Sequence, residues 1–97
     1  EDLDEAALPA ELRQHLIRAL TVQVQALLES DPRSAVKPAR LLIANEPYDQ
    51  EALRLLCRAL HQNQNRRDLA RVYGEAHQRM LEVGEELPKT WQAFLEV

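Results

Sequence analysis

Apolar residues return every three or four positions along most of this chain, beginning with Leu12, Leu16, Leu20, Val24 and Leu27 or Leu28. Such spacing lays one stripe along one side of a helix, so it predicts an amphipathic helix from about Pro9 to Ser30. Pro9 suits a first turn, where its missing N–H would have no partner anyway. Asp31-Pro32 reads as a restart, with a carboxylate to cap free N–H groups and a proline for the first helical position. The second helix is expected from about Pro32 to Ala44, with Ala35, Ala39, Leu42 and Ile43 inward. Pro38 inside it predicts a kink or an irregular start. Asn45-Glu46-Pro47 ends that helix, and a third follows from about Asp49, its cap, to Gln62. Its inward stripe is Ala52, Leu53, Leu56, Cys57 and Leu60. Asn63-Gln64-Asn65 is a polar turn. The fourth helix is predicted from about Arg66 to Val83, burying Leu69, Tyr73, Ala76 and Met80 or Leu81, with Gly84 as its C-terminal cap. Trp91, Phe94 and Leu95 then mark a short fifth helix. Short turns imply antiparallel neighbours, and nothing alternates with period two, so no strands are expected.

The pattern also repeats. Ala35, Ala39, Leu42 and Pro47 recur as Leu69, Tyr73, Ala76 and Leu81 at a 34-residue offset. That offset is the period of the tetratricopeptide helix–turn–helix, whose units bury a core only by stacking. The expected fold is therefore an all-α, tetratricopeptide-like α-α superhelix of about five antiparallel helices. Residues 1–8 form an acidic lead-in, and residues 9–97 form the single domain.

Composition narrows the function. The chain has 97 residues and a formal net charge of −4, which argues against it gripping nucleic acid alone. Glu1, Asp2, Asp4, Glu5 and Glu11 open the chain without a base, whereas Arg54, Arg58, Arg66, Arg67, Arg71 and Arg79 crowd its second half. Cys57 is the only cysteine, so neither an intrachain disulfide nor a cysteine metal cluster can form. That suits a cytoplasmic location, and no membrane-spanning stretch or signal peptide is visible. A start at Glu1, with no Met, reads as a domain cut from a longer protein.

The run Asn45-Glu46-Pro47-Tyr48-Asp49-Gln50-Glu51-Ala52-Leu53-Arg54-Leu55-Leu56-Cys57-Arg58-Ala59-Leu60 resembles the bacterial transcriptional activator domain. Arg66-Arg67-Asp68-Leu69-Ala70-Arg71-Val72-Tyr73 and Leu87-Pro88-Lys89-Thr90 extend the resemblance. That domain occurs in regulators similar to the antibiotic regulatory proteins of actinomycetes and in some signal-transduction ATPases. Gln23, Pro38 and Gln64 depart from its pattern, the last where a glycine is usual. The resemblance implies a non-catalytic interaction and regulatory module, supporting transcription activation beside a winged-helix DNA-binding module outside this chain. It implies a protein partner or self-association, DNA contact only through another domain, and no cofactor, small-molecule substrate or membrane. The rival expectation is a generic tetratricopeptide adaptor of a chaperone, secretion or enzyme complex.

The partner surface is expected on the first helix of each pair, which lines the inner face of such a stack. On the third helix that face should show Glu51, Arg54, Arg58, His61 and Gln62. Steps of four and three from Arg54 through Arg58 to His61 make a row fit to clamp a carboxylate through paired N–H donors. A solvated face with Glu51 pairing Arg54 or Arg58 is the plainer expectation. Arg66, Arg67 and Arg71 read chiefly as a polar helix start. His15, His61 and His77 lie on separate helices without HExxH spacing, so they read as ordinary boundary residues. Cys57 reads as a buried small residue, Glu85-Glu86 as a solvated pair, and Trp91 with Phe94 as core. No residue set suggests catalysis.

Overall fold

A computed structural model describes residues 9–96, and the acidic lead-in of residues 1–8 lies outside the described residues. Five helices follow in order: α1 (Ala10–Ser30), α2 (Pro32–Asn45), α3 (Gln50–Gln62), α4 (Arg66–Glu82) and α5 (Trp91–Leu95). No strand occurs among the described residues, so the chain is all-α.

Each boundary has a local cause. Pro9 sits one residue before α1, at its N-cap, and Pro32 opens α2. Asp31 departs from expectation: its carboxylate accepts the Ser34 hydroxyl at 2.7 Å and caps no backbone N–H. Asp49 does cap, accepting the Glu51 N–H at 2.9 Å. Asn65 and Thr90 cap α4 and α5 in the same way. α2 continues through Pro38 without interruption, although the missing N–H leaves the Ser34 carbonyl without its helical donor.

The ends of α3 and α4 are alike. After α4, Gly84 adopts φ 81°, while its N–H reaches the Leu81 carbonyl and the Glu85 N–H reaches that of Met80. After α3, Gln64 adopts φ 60°, with its N–H on His61 and the Asn65 N–H on Leu60. Both are Schellman closures, and a left-handed backbone is cheapest for glycine. Gln64 thus occupies the glycine position with a side chain. Gln64→Gly is expected to stabilise the fold by about 0.5–1 kcal/mol, the relief of left-handed strain less glycine's extra chain entropy. A higher urea midpoint at unchanged m-value checks it.

α1 pairs with α2 and α3 with α4, each through a short turn that makes the partners antiparallel. α3 lies at the centre, against α1, α2, α4 and α5. This position buries more of it than its stripe predicts: Leu55 and Ala59 join Ala52, Leu53, Leu56, Cys57 and Leu60 inside. Small residues at the contacts (Ala35, Ala39, Ala52, Ala59 and Ala76, all buried) let the helices approach closely. On α4 the inward residue is Met80, fully covered, whereas Leu81 is 45% exposed. Leu12 is also turned to solvent, against expectation. α1 has 21 residues and α2 has 14, so the first turns of α1 extend roughly 10 Å past the end of α2.

Side chains fasten the turns. The Asn63 amide donates to the Pro32 carbonyl at 3.0 Å, and the Arg79 Nε–H donates to the Pro47 carbonyl at 3.0 Å. The Tyr73 hydroxyl donates to the Pro88 carbonyl, holding the segment that carries buried Leu87 into α5.

Candidate functional site

The first helices of the two pairs, α1 and α3, lie side by side and leave a cleft of roughly 440 Å³ between them. Gln25, Leu28 and Glu29 form one wall, and Glu51, Arg54, Leu55, Arg58 and Gln62 form the other. Four of the five residues expected in the row therefore share this cleft. His61 does not. It is half-buried on another flank of α3, its ring 5.3 Å from that of Trp91 and tilted by 55°.

Arg54 is in the cleft wall but is not free. Its Nη1 donates to the Phe94 carbonyl at 2.7 Å, and its guanidinium lies 4.5 Å from the centre of the Phe94 ring. A charged hydrogen bond and a cation–π contact on one group make Arg54 the clasp of α5. Sequence spacing finds this residue and misses the role, because the acceptor lies 40 residues further on. The exposed guanidinium of the cleft is that of Arg58. Among the described residues Glu51 makes no ion pair with Arg54 or Arg58, so acid and base face the cleft separately. Half-buried Leu28 adds the apolar surface of the cleft, and Leu55 lies buried beneath it. Such a surface suits a peptide with mixed charge and an apolar anchor.

The other candidates fall apart in space. His15 is exposed on α1, and His77 is half-buried 6.0 Å from the Tyr73 ring. Among the described residues no three His, Cys, Asp or Glu side chains gather as metal ligands would. Glu85 and Glu86 are exposed, and Glu85 accepts from Gln50 at 3.4 Å. Trp91 is half-buried over the α3 end while Phe94 is buried. No described helix is long and apolar enough to cross a membrane.

Cys57 is fully covered. Burial pushes its thiol up to about 12, and the nearby Arg54 charge only partly opposes this. The thiolate that would react is thus suppressed in the fold. Above the ordinary thiol value an unfolded chain loses this proton first. The stabilisation is therefore complete below that value and declines as pH rises toward about 12. The urea midpoint should fall from about pH 8 to about pH 10 more steeply than in Cys57→Ala. Equal slopes would show that Cys57 carries no such linkage. Burial raises the Tyr73 hydroxyl as well, and Cys57 adds to it.

No family model, no curated protein and no solved structure matches this chain.

Proposed function

We propose that this chain is a protein-interaction domain that holds a partner segment in the cleft between α1 and α3. The observation that carries this reading is the alignment of two first helices into one wall-to-wall groove, as a tetratricopeptide-like superhelix would present it. Arg58 and Glu51 supply opposite charges at its rim, and half-buried Leu28 supplies the apolar surface. In the narrower form of the proposal, the domain is the regulatory module of a bacterial transcriptional regulator. It acts without catalysis or cofactor and keeps its partner beside a separate DNA-binding module. The support for that form is the resemblance of residues 45–60, 66–73 and 87–90.

The test compares this chain with the regulator that contains it. The chain alone should fail to retard promoter DNA, and the parent should succeed. Arg58→Glu in the parent should lower reporter activation while leaving DNA retardation intact, because Arg58 is exposed and bonded to nothing the fold needs. Tight, sequence-specific DNA binding by the isolated chain would overturn the regulator reading. Unchanged activation by Arg58→Glu would remove the cleft from it.

A further inference from the structure

On the face away from the cleft, α2 and α4 run alongside each other but stay apart: no Cα of one lies within 8 Å of the other. Two contacts show which flanks face across the gap. Arg40 meets Asp68 at 3.5 Å, and Arg79 reaches the Pro47 carbonyl. Helical spacing then places Val36 and Ile43 on the Arg40 flank of α2, and Val72 on the Asp68 flank of α4. All three are half-buried against the core, so the gap is a furrow with an apolar floor. At one end it widens into a hollow of roughly 420 Å³, where Val36 and Leu60 lie beside Arg33 and Asn63.

The rim is basic. Arg33, Lys37 and Arg40 stand one turn apart on α2, and Arg67 and Arg71 one turn apart on α4, all exposed. Asp68, Glu75 and Glu82 are the acids on that flank of α4, so the positive excess is local to the end of the furrow where these bases stand, on a chain whose net charge is −4. Arg40 and Arg71 each approach the Asp68 carboxylate to 3.5 Å, and Arg71 lies 3.8 Å from Glu75, so among the described residues the rim bases without an acid partner are Arg33, Lys37 and Arg67.

We infer that this furrow docks an acidic amphipathic helix of a partner protein. Carboxylates of that helix would meet the rim bases, and its apolar side would rest on Val36, Ile43 and Val72. A nucleic-acid backbone satisfies the rim but gains nothing from the apolar floor, and Asp68 and Glu75 oppose either acidic occupant alike. An acidic helix uses both features, which is the helix-in-groove mode of recognition. The site is separate from the α1–α3 cleft, so either proposal stands if the other fails.

The probe is a labelled synthetic peptide of roughly 16 residues, Glu-rich with Leu at helical spacing, titrated in fluorescence anisotropy. It should bind more tightly than an all-Glu peptide of equal length, and more tightly than a DNA duplex at the same ionic strength. The Arg33→Glu/Lys37→Glu variant should weaken it about tenfold, since these exposed bases act by charge. Asp68→Asn should tighten it a few-fold, roughly the worth of two released guanidinium groups. That gain cannot come from damage to the fold, and unchanged circular dichroism checks the other variant. No binding, no response to the rim variants, or preference for the duplex would each overturn the proposal. So would a peptide-free dimer in sedimentation that Arg33→Glu dissolves, because the occupant would then be a second copy.

Discussion

Phe94→Ala should cost about 3–4 kcal/mol, within the usual range for removing a buried aromatic ring. The ring is buried, lies 5.3 Å from Tyr73 and carries the Arg54 guanidinium on its face. Its loss opens a cavity and at the same time unfastens the clasp. α5 has only five residues and cannot hold a helix by itself, so its order depends on this docking. The chain's single tryptophan, Trp91, belongs to α5 and reports the event. The variant should show red-shifted emission under native conditions and a urea midpoint lower by a large fraction of the wild-type value. Native-like Trp91 emission with a loss below about 1 kcal/mol would rule out the clasp. A released Arg54 would also give the α1–α3 cleft a second free guanidinium, so under the proposed function α5 docking and partner binding would draw on one side chain.

The second large effect contrasts two leucines. Leu56→Ala should cost about 3 kcal/mol, because the side chain is fully covered at the centre of the stack. Leu12→Ala should change stability by less than about 0.5 kcal/mol, because Leu12 is 53% exposed. The periodicity of the sequence treats the two alike, since both belong to inward stripes. Equal losses in urea denaturation would mean that the first turns of α1 are covered in solution.

That contrast marks how far the sequence is legible. Helix number, order and class follow from spacing and breakers, because each boundary is set by residues within a few positions of it. Asp49, Gly84 and the Asp31-Pro32 restart are all local signals. What spacing cannot give is the number of neighbours a helix has. Leu55 and Ala59 are buried because α3 is covered on several sides, and Leu12 is bare because α1 outruns α2. Met80 rather than Leu81 faces inward for a related reason: a 34-residue frame fixes the turn of a helix to within one residue, and packing selects between adjacent positions. The candidate cleft was legible as a row on one helix. Its opposite wall, Gln25, Leu28 and Glu29, comes from α1 and carries no signal in the pattern of α3. Gln64 was visible as a departure from glycine, but its left-handed backbone is known only from the turn itself.

Three prolines share one circumstance. The carbonyls of Pro32, Pro47 and Pro88 each accept a side chain from a different helix pair or segment: Asn63, Arg79 and Tyr73 respectively. Each bond joins a turn to an element between 15 and 32 residues away. Two of these bonds, Asn63 to Pro32 and Arg79 to Pro47, tie the second helix pair to the first pair and to the turn between them. Cutting the chain after Asn45 would strip the donor from Pro32 and the apolar cover from α2 together. The unit of cooperative folding is thus the whole stack, so unfolding should proceed in a single step, with no stable half-stack on the way.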